Sequence, residues 1–507
     1  MKSQQQRPAV AMNPLLPIDR YVPDGEPHVF GDRVYLFGSQ DREGGDTYCQ
    51  LDYEFFSAPV DDLSSWSSRG VNYRAVQDPH YSEDAPHLYA PDVVKGNDGR
   101  FYLYYCLGGK KPAPGWRGDI GVAVANEPDG VYEFLGHVRN SDGSLLRGYV
   151  RFDPAVINDD GVIRLYYGAA LPLDDAAAPL QPIVRALQRR LFRLSRAELH
   201  ALGGTAQGLV GTELDSDMLT VRRPPRRVIP PRVKGTSFEG HAFFEGASIR
   251  RIDDLYYLIY SSANSHELCY ATSRHPDRDF TYGGVIISNG DIGFEGRGPA
   301  QRTNRTGNNH GGIEKIGDQW YVFYHRPTHA RGVSRQACAE PIEILPNGAI
   351  PQVRVTSSGL HAAGLPSAGV YPAIIASSIR GAKLPRLSFS SHGMPYVAHD
   401  AHDRFISGLT NSSTLEYRSI HFDGPTAFAL DYRSPSTVHV SVLADGVAIG
   451  AISLMPSSAW YTSEPLYIEL HGDYTITLKF SSKSTVELRS LAFHPPEPAI
   501  PHHRPGV

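Results

Sequence analysis

The stretch NDGRFYLYYCLG, residues 97–108, sets a polar turn directly ahead of an apolar strand rich in tyrosine. Asn, Asp and Gly favour tight turns, and aromatic residues favour strands. The same pattern returns as GDRVYLFGS (31–39), NDDGVIRLYYGAA (158–170), IDDLYYLIYSS (252–262) and KIGDQWYVFYHR (315–326). The mid-strand residues Leu36, Leu103, Leu165, Leu258 and Val322 are 67, 62, 93 and 64 residues apart. A period near 64 suits a blade of about four strands. The 93-residue interval then carries an insertion within Leu171 to Val233, with a short helix around Ser195 to Leu202. Second strands follow at EFFSAPV (54–60), DIGVAVA (119–125), RRLFRLS (189–195) and HELCYATS (266–273). The fold class is all-β, a five-bladed β-propeller. A series of sandwiches is the bland alternative, and a TIM barrel would need long amphipathic helices between the strands.

The repeat ends near Val353, so the propeller spans 13–353 and a small-residue segment, 354–370, reads as a linker. Residues 371–500 change texture. Runs at 414–422, 426–434, 438–454, 467–482 and 485–495 suggest a β-sandwich of about eight strands, with hairpin turns at Asp445-Gly446 and Gly472-Asp473. Trp460 and Tyr461 are candidates for a sugar platform there, so the domain is carbohydrate-binding or a degenerate packing unit.

Composition excludes several classes. Hydrophobic residues are 41% of 507, charged residues 20%, and the formal charge is -5, so there is material for a core and no basic stripe for nucleic acid. The runs Arg185–Arg193 and Arg222–Arg227 read as solvated loop faces. Cys49, Cys106, Cys269 and Cys338 form no CxxC pair and read as isolated buried thiols. No 18-residue apolar run marks a membrane span, and the first residues lack a signal-like apolar stretch, so cytoplasmic residence is the expectation.

Chemistry is expected where blade-start segments meet at the axis. Asp24, Asp153 and Glu245 precede the mid-strand residue of their blades by 12, 12 and 13 residues, Asp92 by 11 and His310 by 12. Glu26 rivals Asp24, and Glu239 rivals Glu245. Turn capping is the structural alternative for each Asp. Glu245 follows two phenylalanines, a setting that raises a carboxyl pKa and suits a general acid. A ring of carboxylates with a histidine at one level suits glycosidic cleavage, which needs an acid and a base together. There is neither a P-loop nor a GxSxG elbow.

These residues resemble glycoside hydrolase family 43 over about 13–353. The resemblance rests on NPLLP (13–17), VPDGEPHVFGDRVYLF (22–37), Tyr89-Ala90-Pro91-Asp92, FDPAVINDDG (152–161), EGASIRRIDDLYYLIYS (245–261) and NNHGGIEKIGDQWYVFYHR (308–326). Gly25 departs from the family's usual Asp-Pro. The resemblance implies an inverting single displacement with Asp24 as general base and Glu245 as general acid. Asp153 would stay ionised, orient the sugar and raise the pKa of Glu245. It implies substrate contacts from Arg335 in RQACAEPIEILPNG and from His310, with Asp92 in the same ring. Phe30, Tyr89, Phe152 and Phe244 are candidates for stacking on the sugar. Acid and base should stand about 6.5–9.5 Å apart. No cofactor is required. A structural calcium in the channel, held near His310 mainly through waters, is a further implication. The expected activity is exo-removal of terminal α-L-arabinofuranosyl residues from arabinose- or xylose-containing oligosaccharides. β-D-xylosidase and β-D-galactofuranosidase are the rivals, and a non-catalytic carbohydrate-binding propeller is the other class.

Overall fold

The computed structural model describes residues 10–109, 118–171, 178–382 and 393–495. These residues form two compact units, one from Pro14 to Val355 and one containing Thr356 onward.

The first unit is a five-bladed propeller. Each blade begins with an inner strand: Glu26–Phe30, His87–Lys95, Ala155–Asp159, Phe243–Ile252 and Ile313–Ile316. The repeat found in the sequence is the second strand of each blade, at Arg33–Phe37, Phe101–Gly108, Val162–Ala169, Leu255–Ser262 and Gln319–Pro327. The five mid-strand residues that set the period are all fully buried, each worth about 1.5–3 kcal/mol of transfer free energy. The strands are rich in tyrosine because a buried ring can still satisfy its hydroxyl at a sheet edge. Tyr104 donates to the Met218 carbonyl at 2.7 Å, and Tyr260 donates to that of His241 at 2.8 Å.

The insertion lies between the second and third strands of blade three. Its helix Arg196–Ala201 starts where the sequence suggested, capped by Ser195 in a reciprocal box with Glu198. A longer helix, Gln181–Phe192, precedes it. The run Arg189–Ser195 is therefore the end of a helix and not a second strand. Its arginines are the polar face of that helix, with Val184 buried opposite. Val221–Arg227 is likewise a strand, the outermost of blade three, and not a loop.

The second unit is a large, mainly antiparallel β-sheet of eleven described strands, consistent with a sandwich. Its spine is one continuous strand, Thr414–Ser434, where the sequence suggested two. Left-handed backbone at Ser419 and an irregular Gly424 bend it without ending it. Gly472-Asp473 lies inside the strand Leu466–Ser481, paired with Phe422 and His421, so it is not a hairpin turn. Asp445-Gly446 is one, both residues having positive φ. Part of the stretch expected as a linker is strand: Leu365–Pro366 pairs with Ile420 and His421. The Trp460 ring is covered by Arg433 and Arg489, at 4.0 and 4.8 Å from its centroid. It is an anchor for two guanidinium groups.

Candidate active site

The register of the inner strands decides which side chains meet. Leu36, Leu103, Leu165, Leu258 and Val322 pair with Pro27, Val93, Val156, Ile249 and Ile313 of the inner strands. Three residues upstream of these partners stand Asp24, Ala90, Asp153, Gly246 and His310. Glu245 sits one further back, where the ladder of blade four is interrupted on both sides of it. Asp92 is only one residue upstream of its partner. It shares its level with Glu26 and Ser248, one layer deeper in the channel. The near-constant spacing in the sequence hid this, because the hairpin of blade two joins its strands with a different loop length.

Asp24, Tyr48, Cys49, Tyr89, Ala90, Phe152, Asp153, Phe244, Glu245, Arg305, Asn308, His310 and Arg335 line one cavity of about 430 Å³. The sequence candidates Asp24, Asp153, Glu245, His310, Arg335, Tyr89, Phe152 and Phe244 are thus brought together. Two are not. Phe30 packs edge-on against Phe101, with centroids 5.0 Å apart, in the core shared by the first two blades. Asp92 accepts from the Val93 and Val156 amides at 2.7 and 2.6 Å and pairs with His28 at 2.7 Å. Its oxygens are committed to holding the inner strands. Of the rivals, Glu26 is occupied by Ser248 and Arg250, each at 2.8 Å, and Glu239 is an exposed residue bonding the Gly235 amide.

Asp24 is buried beside one guanidinium and two imidazoles. Its Oδ1 lies 2.9 Å from the Arg335 guanidinium, 3.5 Å from His325 Nδ1 and 3.7 Å from His310 Nδ1. Burial pushes its pKa upward, but Arg335 and the two histidines outweigh it and hold the carboxyl at about 2. Arg335 is itself aimed: Asp41 accepts from its Nε and its second terminal nitrogen at 2.8 and 3.1 Å, and the Tyr48 ring lies 4.6 Å below it. His325 accepts from the Asp24 amide through Nδ1 at 3.1 Å, so its Nε2 donates to the Asn308 carbonyl at 2.8 Å. Burial pushes this imidazole down to about 3, so it stays neutral.

Glu245 goes the other way. Burial and then the Asp24 charge raise it to about 7, against Arg335 and a hydrogen bond from Asn308. Asp153 is also raised, first by burial, then by Glu245 and Asp24, although it accepts from the Gly246 amide at 3.0 Å. Both carboxyls are thus pushed toward the protonated form, opposite to Asp24. The rise in Glu245 has burial as its first cause and Asp24 as its second, beside the like charge of Asp153 that the resemblance implies. Asp24 and Asp153 both take left-handed backbone, at φ 56° and 44°. Strained non-glycine residues concentrate at functional sites.

Asp41, Tyr48, His325, Asn308 and Arg305 escaped the sequence reading. The first two lie in the loop between the repeat strand of blade one and Tyr53, with no pattern of their own. His325 and Asn308 were quoted within the motif of blade five but carried no signal separating them from packing residues.

The channel calcium that the resemblance implies would sit near His310 and be held mainly through waters. His310 Nδ1 already faces Asp24 and Asp153, at 3.7 and 4.0 Å. One layer down, Glu26, His28 and Asp92 converge, but Arg250 supplies the positive charge there. Neither place is a cage of six to eight free oxygens. Direct protein ligands are therefore few, and a calcium there would depend on waters, as the resemblance implies.

Comparison with known proteins agrees with this geometry. The family model for glycosyl hydrolases family 43 matches residues 12–175 and 195–350. A xylosidase/arabinosidase of Thermoclostridium stercorarium is 38% identical over 467 residues, covering 88% of this chain and 91% of its own. Xylosidase/arabinosidase 43A of Humicola insolens is 28% identical over 352 residues, covering 66% and 96%. Two solved structures share the fold. One is a β-xylosidase/α-arabinofuranosidase from a compost microbial metagenome, with TM-score 0.50 and 24% identity, covering 68% of this chain and 98% of the other. The second is an exo-β-1,3-galactanase of Phanerochaete chrysosporium, with TM-score 0.50 and 13% identity, covering 97% and 99%. With one family model over more than half of its length and a relative 38% identical along most of it, this chain belongs to glycosyl hydrolase family 43.

Proposed function

We propose that this O-glycosyl hydrolase is an inverting exo-enzyme that removes terminal α-L-arabinofuranosyl residues from arabinose- or xylose-containing oligosaccharides. The observation that carries the reading is the opposite protonation of two carboxyls in one cavity, Asp24 near 2 and Glu245 near 7. At neutral pH Asp24 is an ionised base that can take a proton from water. Glu245, raised to about 7, can deliver its proton to the glycosidic oxygen. Asp153 remains beside Glu245 to take up charge as that proton leaves. Tyr89, Phe152 and Phe244 give the sugar ring apolar walls. The chemistry needs no organic cofactor.

β-D-Xylosidase activity is the second reading, favoured by the double name of the relative that is 38% identical. Residence in the cytoplasm, on imported oligosaccharides, is proposed with it. Release of 4-nitrophenol from the α-L-arabinofuranoside, β-D-xylopyranoside and β-D-galactofuranoside tests the sugar, with Glu245→Ala as control. The arabinofuranoside should be cleaved fastest. Proton NMR of the first-formed product should show an inverted anomeric centre, and retention would exclude the single displacement.

A further inference from the structure

Arg305 lines the catalytic cavity but takes no part in the carboxylate network. It is 6% exposed, yet two backbone carbonyls are its bonded partners: its terminal nitrogens donate to Ala330 at 3.2 Å and His329 at 2.7 Å. Its buried Nε has no partner. A guanidinium offers five N–H donors in a planar fork, so donors remain for a bidentate acceptor. Burial lowers its pKa, to about 10, and among the described residues no carboxylate counters it. Arg335 shows the contrast within the same cavity, being matched by both Asp24 and Asp41. A buried cation without a counter-charge is costly unless something else supplies one.

We propose that Arg305 is a specificity-determining residue that binds the carboxylate of a uronic acid carried by the substrate beside its terminal pentose. This rests on the pentosidase reading above. A carboxylate seated on the remaining N–H groups of the two terminal nitrogens would supply the missing negative charge. The two carbonyls fix the plane of the fork in advance, so little ordering is needed on binding. Neutral pentose oligosaccharides would still enter, with Arg305 left to water.

The test is calorimetric binding of xylotriose bearing a glucuronic acid, the same compound with its carboxyl reduced to an alcohol, and plain xylotriose. Catalytically silent Glu245→Gln protein is the host. The acidic sugar should bind at least tenfold tighter than its reduced form, with the advantage shrinking as salt rises. Adding Arg305→Gln should erase that advantage and leave xylotriose binding within twofold. Equal binding of the acidic and reduced sugars overturns the proposal, and so does an Arg305→Gln variant that weakens all three alike. The comparison of acidic with reduced sugar needs only the Arg305-containing host, so it decides even if Arg305→Gln does not fold. Wild-type turnover of the neutral nitrophenyl glycosides reports separately on the pentosidase reading.

Discussion

Asp24 is buried and Glu245 half-buried in one cavity, yet burial wins only for Glu245. The difference is Arg335, which touches Asp24 and is held in place by Asp41. Removing the base charge by Asp24→Asn should lower kcat by about 10³-fold or more while substrate still binds. Equal turnover of variant and wild type would take Asp24 out of the base role. The pH profile follows from the same pair. The acid must carry its proton, so kcat/KM should fall as pH rises through about 7, where Glu245 releases it. No fall is expected on the acid side until well below pH 4, because Asp24 stays ionised down to about 2. In Glu245→Gln the alkaline limb should vanish along with most activity. A limb that survives at full size belongs to another group.

At the scale of the element, blade four does the most delicate work. Its inner strand breaks register around Glu245, and Gly246 follows at φ 67°. A Cβ on Gly246 would meet the His310 ring at 2.8 Å, and the Gly246 amide also holds Asp153. Gly246→Ala should therefore displace His310 and Asp153 together and cut kcat/KM by about 10²-fold, with a smaller loss in melting temperature. Wild-type kinetics in this variant would show that the turn has slack. Asp92 belongs to blade two and does a different job. Asp92→Ala leaves two buried amides without an acceptor, at a cost of about 1–3 kcal/mol each. A denaturant titration should show that loss, with KM for the nitrophenyl glycosides within threefold of wild type. A large rise in KM without a loss of stability would return Asp92 to the substrate.

On the scale of the whole molecule, closure of five blades turns separate inner strands into one cavity. The loop between the first repeat strand and Tyr53 adds Tyr48 and Cys49 to its wall. A walled cavity accepts a chain end, so digestion of an arabino-oligosaccharide ladder should release only monosaccharide from the first time point. Early dimers or trimers by chromatography would mean an open cleft and endo action. Five blades were readable because each must bury the same apolar strand against its neighbours, which leaves a 64-residue rhythm in the sequence. Asp24 and Asp153 were readable because repeats place equivalent residues at equivalent levels, and Glu245 stands one residue from that level. The helix Gln181–Phe192 was missed because it falls in an insertion outside that rhythm. Asp92 was misplaced because loop length between paired strands sets register, and a one-strand spacing does not record it. The sequence by itself determined the repeat, the all-β class and the three carboxyls, since these depend on local pattern and hydrophobic period. Only the tertiary structure decided their proton states and partners. Arg335 and Asp41 lie 294 residues apart in the chain, and long-range electrostatics act between groups that only folding brings together.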